Sequence, residues 1–282
     1  MDNLVDIVRE AGVVGAGGAG FPTHVKLSAQ AEYLIINGVE CEPLLQVDQY
    51  LMTEYARPIV ETVETVRQQV GAKKAFLTLK EKYTEARQAL EAVVKDFPAI
   101  EVPVFPSVYP MGDEHVLVYE TVGRVVPAGG IPIDVGVVGM NVETIWNIHR
   151  AIKGEPLVDT YLSIVGEVPE PMTIKVPLGT VTGDLLSLLG IKVAGLEILE
   201  GGPMMGGLTT LDTPLQKTSK GLFLLKPTNP VIYRRKQPVS TFLKIARAAC
   251  CHCNFCTENC PRYLLGHPLE PHRIMWGVSI GE

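Results

Sequence analysis

YLIINGVECEP, residues 33–43, decides the fold of the N-terminal half of this chain. Its first four residues form a continuous apolar run, which is typical of a strand buried on both faces of a sheet. The run passes directly into a polar loop that carries Asn37, Glu40 and Glu42. Because ligands bind at the carboxyl ends of the strands in open α/β sheets, this loop is a candidate binding site.

Apolar strand-like runs alternate with helical patterns as far as about residue 153. We predict further strands at residues 75–79, 101–105 and 135–139, and helices at residues 2–11, 51–69, 84–94, 114–121 and 142–152. Thr84 is the expected N-cap of its helix. Pro103 has no amide to donate, so its strand is expected near a sheet edge. The alternation predicts an α/β unit with a mostly parallel sheet over residues 1–153.

The pattern changes after residue 154. Strands at residues 161–165, 172–176 and 196–199, with a helix at residues 182–189, predict a small α+β domain of the β-grasp kind over residues 154–215. Residues 216–240 are rich in proline and basic residues, and we interpret them as a connector. A helix at residues 241–249 then leads into a cysteine-rich segment, residues 241–282.

Two glycine-rich loops are candidate ligand contacts. The first, GAGGAGFPT at residues 15–23, satisfies the loose G-x-G-x-x-G form, but a predicted helix precedes it instead of a strand. A standard Rossmann NAD site is therefore disfavoured, and the residues alone leave a plain turn and a phosphate site open. The second, GGPMMGG at residues 201–207, is either a turn whose methionines pack on the neighbouring domain or a cofactor contact.

The cysteine-rich segment contains the motif C-x2-C-x2-C-x3-C-P, formed by Cys250, Cys253, Cys256, Cys260 and Pro261. Short gaps let one tight loop wrap thiolates around a corner of an iron–sulfur cluster. The alternatives are a zinc knuckle, which favours two separated ligand pairs, and unligated buried cysteines. The spacing favours the cluster, and therefore electron transfer.

Composition excludes several other classes of protein. The 282 residues suffice for about two domains, and the net charge of −6 disfavours nucleic acid as the main partner. No apolar run approaches the roughly 20 residues of a membrane helix. The N-terminus has no signal-peptide pattern, and a cluster motif with free thiols suggests the reducing cytoplasm.

Four segments together resemble the FMN-binding fold of the NADH-oxidising subunit of complex I. They are Gly15 to Lys26, Asn37 to Pro43, Tyr109 to Glu114 and Asp134 to Thr144. They resemble still more its bacterial relatives, the RnfC-type subunits of ion-translocating ferredoxin:NAD oxidoreductases and the PduS-type cobalamin reductases. Residues 155–210 resemble the soluble-ligand-binding β-grasp (SLBB) domain of that family, and PRYLLGH at residues 261–267 favours the PduS-type branch.

This resemblance implies a set of cofactor and substrate contacts. The FMN positions are Gly15, Ala16, Gly17, Gly18, Lys26, Asn37, Glu40, Tyr109, Gly112, Asp113 and Asn141; the NADH positions are Phe21, Glu42 and Glu114; the [4Fe-4S] ligands are Cys250, Cys253, Cys256 and Cys260. Three positions depart from the complex I pattern: Ala16 replaces an arginine, Val39 an acidic residue and Met140 an asparagine.

The family carries a second cysteine motif downstream, which this chain does not contain. We therefore expect the chain to be an N-terminal fragment in which Cys250, Cys253 and Cys256 hold one cluster and Cys260 was meant for the other. On that basis, it should assemble iron poorly. The other two cysteines of the chain, Cys41 and Cys251, are not part of the motif.

The function implied is a flavin and iron–sulfur oxidoreductase that passes electrons from NADH through FMN to an acceptor. The acceptor would be a redox protein or a corrinoid, with a cobalamin-adenosylating enzyme as a partner and a bacterial microcompartment as one location. The alternatives are an RnfC-type subunit of a membrane complex and a non-catalytic carrier or scaffold with a degenerate flavin site. Homo-oligomer formation is left open.

Overall fold

Two five-stranded sheets organise the chain, which the computed structural model describes over residues 3–280. The first sheet comprises β1 (Tyr33–Gly38), β2 (Lys74–Lys80), β3 (Ile100–Glu101), β4 (Val104–Phe105) and β5 (Val137–Asn141). Its order is β3-β2-β1-β5, with β4 also beside β2, and every pair is parallel. The α/β class with a mostly parallel sheet is confirmed.

Helices cover this sheet: α1 (Leu4–Glu10), α2 (Thr23–Leu27), α3 (Val47–Glu54), α4 (Ala56–Gln69), α5 (Thr84–Val94), α6 (Glu114–Val122) and α7 (Val142–Ile152), with a 3-10 turn at Pro132–Val135.

Three predicted elements differ from the structure. The helix predicted at residues 51–69 is in fact two helices that meet at Tyr55, whose φ of −120° is not helical. The strand predicted at residues 101–105 is interrupted around Pro103. Thr84 does not cap α5, because it is the first helical residue. Asp2, the first residue of the predicted helix 2–11, lies outside the described residues.

Strand β1 lies at the centre of the first domain's packing. Leu34 and Ile36 are fully buried in one core, which the helices α3, α4 and α7 complete. Ile35 points to the other face and belongs to a separate core with Leu117 and Val118 of α6. This burial on both faces is the arrangement expected from the apolar run, and it places the polar loop after β1 at the carboxyl edge of the sheet.

The second sheet comprises β6 (Asp159–Gly166), β7 (Met172–Pro177), β8 (Glu197–Glu200), β9 (Gly207–Thr209) and β10 (Gly221–Leu225), with helix α8 at Thr182–Leu188. Its order is β7-β6-β10-β8-β9, in which β10 runs parallel to β6 and antiparallel to β8. The interpretation of residues 216–240 as a connector is therefore wrong, because β10 is the central strand of this sheet. Leu222 and Leu224 are buried in a core on one face of this sheet, and Phe223 is buried in a core on the other.

Short helices form the C-terminal segment: α9 (Pro230–Arg235), α10 (Val239–Ala249), α11 (Phe255–Glu258), α12 (Pro261–Leu264) and α13 (Pro271–Ile280). The motif cysteines lie between the end of α10 and the start of α12. Among the helices of residues 3–280, none is both long enough and apolar enough to cross a membrane.

Candidate flavin site and cysteine cavity

Two adjoining cavities lie at the carboxyl ends of β1 and β5. The larger has a volume of about 790 Å³ and reaches the second domain; the smaller, about 240 Å³, lies over the start of α7. Gly18, Glu40, Glu42, Tyr109 and Asp113 line the larger cavity, Gly15, Phe21, Lys26 and Glu114 line the smaller one, and Gly17, Asn37, Gly112 and Asn141 line both. Ala16 is the one predicted flavin or NADH position that lines neither.

Ala16 instead fixes the glycine loop to the first domain. Its side chain is buried, and its amide donates to the hydroxyl of Thr144 at 3.0 Å. The loop reverses between α1 and α2, with Gly18 and Gly20 at φ of +105° and +63°, a region that side chains rarely adopt. A helix and not a strand precedes the loop, as the sequence predicted, so the standard Rossmann arrangement is absent from this part of the described chain.

The smaller cavity has the donors that a phosphate group requires. Lys26 Nζ lies on its wall, 2.7 Å from the Gly139 carbonyl oxygen and 3.5 Å from Glu114 Oε1. The start of the 11-residue helix α7 faces it, and a helix N-terminus favours an anion. Thr23 Oγ1 is buried on the same wall without a hydrogen-bond partner among the described residues. A buried orphan hydroxyl beside a lysine fits a ligand oxygen.

Asn37 and Gly112 join the two strand-end loops that form the shared wall. Asn37 donates from Nδ2 to the Gly112 carbonyl at 2.9 Å and accepts at Oδ1 from the Val39 amide at 3.0 Å. A side chain at Gly112 would overlap the Val39 carbonyl, so this position requires glycine. The Gly112 amide in turn donates to Cys41 Sγ at 3.0 Å. Burial raises the pKa of the Cys41 thiol, so the leftover cysteine is a neutral structural contact here.

Four charged side chains meet at the wall of the larger cavity, and we call them the buried charge cluster: Lys220, Asp48, Glu143 and Glu40. All of them except Glu143 line the cavity. Lys220 Nζ lies 2.6 Å from Asp48 Oδ1, 3.5 Å from Glu143 Oε2 and 3.9 Å from Glu40 Oε2. Asp48 and Glu143 lie in the first turns of α3 and α7, whereas Lys220 comes from the second domain, next to β10. The sequence analysis predicted only Glu40 of these four. The sequence feature that could have identified Lys220 is its position directly before the apolar run of a buried strand.

Asn141 connects this cluster to both cavities. Its Nδ2 donates to Asp48 Oδ2 at 2.8 Å, while its Oδ1 caps α7 by accepting from the Glu143 amide at 2.9 Å. Burial raises the pKa of Glu40, against the opposing field of Lys220. The wall of the larger cavity is thus acidic, with one ammonium fixed at its centre.

Glu42 is held by the glycine and methionine loop of the second domain. The amides of Met204 and Met205 donate to its two carboxylate oxygens at 2.9 and 2.5 Å. The methionine side chains do not pack on the first domain as one interpretation expected, since Met205 is 79% exposed; the backbone makes the contact. Met205 also lines the larger cavity, so the loop is part of the cavity wall.

The cysteine segment encloses a separate cavity of about 800 Å³, lined by Cys250, Cys251, Cys253 and Cys256 together with His272 and Trp276. Cys260 does not line it and instead precedes α12. Within residues 3–280, no three His, Cys, Asp or Glu side chains converge as a metal site. Two hydrogen bonds lower the pKa of the Cys253 thiol: the stronger effect comes from the Phe255 amide and the weaker one from the Cys251 side chain. Thiolates are the ligands that a [4Fe-4S] cluster needs, so the three motif cysteines at this cavity match a cluster in ligand type, although their side chains do not converge on one point in this structure.

Two contacts attach the cysteine segment to the flavin domain. Arg262, two residues after Cys260, donates from Nη2 to Asp113 Oδ2 at 2.8 Å. Asp113 is both the N-cap of α6 and a wall residue of the larger cavity. His267 Nε2 lies 2.7 Å from the Val126 carbonyl oxygen. The predicted flavin residue Asp113 therefore connects the two candidate cofactor sites.

Comparison with known families agrees with this division. The model of the Nuo51 FMN-binding domain matches residues 8–150, and the model of a 4Fe-4S dicluster domain matches residues 249–282. The first match covers the part of the candidate flavin site that lies in the first domain, and the second covers the four motif cysteines.

Individual relatives extend over the whole chain. The cobalamin reductase PduS of Salmonella typhimurium is 44% identical over 284 residues, covering 100% of this chain and 62% of that protein. A component of the proton-translocating ferredoxin:NAD(+) oxidoreductase complex of Clostridium ljungdahlii is 36% identical, covering 93% of this chain and 56% of that protein. The chain thus spans about three fifths of the length of these relatives.

A solved structure shares the fold. A chain of an NAD+-reducing [NiFe]-hydrogenase in the air-oxidised state superposes with a TM-score of 0.70 at 23% identity, covering 98% of this chain and 52% of the hydrogenase chain. This likeness confirms the order of the α/β unit, the small sheet domain and the helical cysteine segment as a known fold.

Proposed function

The chain belongs to the family of the Nuo51 FMN-binding domain, and on this premise we propose that it takes electrons from NADH at a bound FMN and delivers them to iron–sulfur clusters. The two matching domain models are those of an FMN-binding domain and a 4Fe-4S dicluster domain, so they indicate the two cofactors. The single observation that carries the proposal is the pair of adjoining cavities, one suited to a phosphate and one with an acidic, hydrogen-bonding wall, joined to the cysteine segment through Asp113.

The chain's own residues divide the work of holding the cofactor. FMN supplies the chemistry of accepting two electrons together and releasing them singly. Lys26 and the start of α7 would neutralise its phosphate, and the Thr23 hydroxyl would donate a hydrogen bond to it. Asn37, Glu40 and Asn141 would accept and donate hydrogen bonds at its hydroxyls and ring edges, with Gly15, Gly17, Gly18 and Gly112 leaving room for close approach.

Three further positions would face the nicotinamide nucleotide. Phe21 and Glu114 lie at the smaller cavity, and Glu42 lies at the larger one. The Glu42 carboxylate is already bonded by the Met204 and Met205 amides. In this proposal Glu42 therefore acts chiefly by fixing the second-domain loop at the cavity rim.

Cobalamin is the acceptor that we propose, because the relative with 44% identity over the whole chain is a cobalamin reductase. The second candidate is an RnfC-type role within a ferredoxin:NAD(+) oxidoreductase complex, which the 36% relative supports. The cytoplasm, or a microcompartment within it, is the proposed location, and a corrinoid or a redox protein is the proposed partner.

Flavin titration tests the proposal. FMN added to the purified chain should show quenched fluorescence on binding, and anaerobic NADH should then bleach the flavin absorbance. Lys26→Met should weaken FMN binding about 10- to 100-fold, because it removes a charge-assisted hydrogen bond worth about 1.5–3 kcal/mol. The exposed Lys192→Met is the matched control.

Each outcome discriminates between the candidate functions. If the chain does not bind FMN, the result favours a non-catalytic scaffold. If it binds FMN but NADH does not bleach the flavin, the result favours an electron carrier that another protein reduces. Cobalamin reduction that depends on NADH and FMN would separate the PduS-type role from the RnfC-type role, in which ferredoxin is the partner.

A further inference from the structure

The buried charge cluster carries more negative charge than its surroundings can solvate. It contains one ammonium, Lys220, and three carboxyl groups, from Asp48, Glu143 and Glu40. The side chains of Lys220, Asp48 and Glu143 are 9%, 1% and 2% exposed. Full ionisation would leave two uncompensated negative charges away from water, which is costly, and a buried carboxyl responds by keeping its proton.

The contacts identify the carboxyl group that keeps the proton. Both oxygens of Asp48 are bonded, one to Lys220 and the other to Asn141. Glu143 Oε2 is buried without a hydrogen bond among the described residues and lies only at ion-pair distance from Lys220. Its Oε1 has the Thr160 hydroxyl at 3.5 Å. Glu143 is therefore the carboxylate least stabilised as an anion.

The groups around Glu143 come from several elements. Asp48 faces it from α3, Lys220 from the residue before β10 and the Tyr161 amide from β6. Glu40, in the loop after β1, faces Lys220. Burial raises the pKa of Glu143, and the charge of Lys220 lowers it. Burial has the larger effect, so the pKa lies at about 7. Tyr83, at the start of the neighbouring helix α5, stays neutral because burial raises its pKa as well.

We propose that the buried charge cluster stores one exchangeable proton and releases it to the larger cavity when electrons are delivered there. This inference rests on the proposed function. A hydride transferred to a bound flavin brings two electrons and one proton and leaves one net negative charge in the cavity. The O–H bond of Glu143 then breaks, its proton ends on the reduced ring, and the carboxylate that remains pairs with Lys220. When the two electrons leave singly, the ring also releases two protons: one returns to Glu143, and the one that came with the hydride leaves to solvent.

The geometry supplies a route between the store and the cavity. The Lys220 ammonium lies 3.5 Å from Glu143 and 3.9 Å from Glu40. On this route the ammonium first passes a proton to Glu40, and the neutral amine then takes the proton of Glu143, as Nζ moves toward each carboxyl group in turn. Glu40 lines the larger cavity, whereas Glu143 does not.

The first test needs no cofactor. Infrared spectra of the chain should show the carbonyl band of a protonated carboxylic acid, which disappears with a midpoint at about pH 7. Glu143→Gln should lose this band, and the exposed Glu167→Gln should keep it. Absence of the band at about pH 6, where ordinary carboxyl groups are already ionised, would overturn the proposal, as would its persistence in Glu143→Gln. If Glu143→Gln fails to fold, glutamate labelled with 13C in the native chain identifies the band by its isotope shift.

The second test uses the FMN-loaded chain and measures the flavin midpoint potential against pH. Below about pH 7, where Glu143 supplies a proton to the reduced ring, the native chain should take up one fewer proton from solution for each electron pair than Glu143→Gln, and above about pH 7 the two should agree. Because flavin itself titrates, the readout is the difference between the native chain and Glu143→Gln, with Glu167→Gln as control. Equal slopes in the native chain and Glu143→Gln would overturn the proposal while the proposed function stands. If FMN does not bind, the proposed function fails, and the infrared test still decides whether a proton is stored.

Discussion

Replacing Lys220 with methionine should destabilise both domains together. Methionine preserves the length of the side chain but removes the only ammonium facing Asp48, Glu143 and Glu40 among the described residues. Asp48 is 1% exposed and would lose a 2.6 Å ion pair. Removing one partner of a buried pair typically costs about 3–5 kcal/mol, because the other charge stays buried without compensation. That is a large share of the stability of an ordinary domain, about 5–15 kcal/mol.

Urea unfolding followed by circular dichroism measures this cost. The matched control is Lys226→Met, since Lys226 and Glu167 form an exposed pair, 63% and 46% exposed, whose loss should cost at most about 1 kcal/mol. The Lys220→Met cost should shrink on acidification as the carboxyl groups take up protons. Adding Asp48→Asn should restore part of the lost stability. A cost for Lys220→Met no larger than that for Lys226→Met would refute the reasoning, as would a double variant less stable than Lys220→Met alone.

Two further substitutions test the walls of the larger cavity. Gly202→Ala should open the loop over the cavity, because a Cβ there would overlap the Glu42 carboxylate; proteolysis within the loop should exceed that of Gly207→Ala, where a Cβ meets nothing within 4 Å. Similar cleavage of the two variants would contradict the closed loop. Arg262→Gln should loosen the cysteine segment by about 1 kcal/mol, since its ion pair with Asp113 is only partly buried. Amide exchange over residues 261–269 should rise roughly fivefold, and unchanged exchange would show that the ion pair does not hold the segment.

Local patterns sufficed for most of the first domain. The apolar run Tyr33–Ile36 predicted a strand covered on both faces, and helix α7 begins and ends where its periodicity predicted. The break of the predicted helix at Tyr55 was not visible, because the residues on both sides favour a helix and only the packing of α3 against α5 and of α4 against α7 separates them.

Strand β10 shows why the second domain was harder to predict. Its five residues, Gly221–Leu225, follow a polar segment and precede a basic one, so their neighbourhood resembled a connector. What makes them a central strand is pairing with β6 and β8, which lie roughly 20–60 residues away in the chain. Non-local pairing of this kind leaves no local periodicity to detect.

The amino-acid sequence was sufficient for the class of the fold, the position of the polar loop after β1 and the cluster type of the cysteine segment, because each depends on residues close together in the chain. The three-dimensional arrangement was needed to show that Lys220 completes a buried charge cluster with Asp48 and Glu143, 172 and 77 residues away. It also separated Cys260 from the cavity that Cys250, Cys253 and Cys256 line. A charge that is costly to bury alone is stabilised only where the fold places an opposite charge next to it. Because these partners are far apart in the chain, no local sequence pattern indicates the contact.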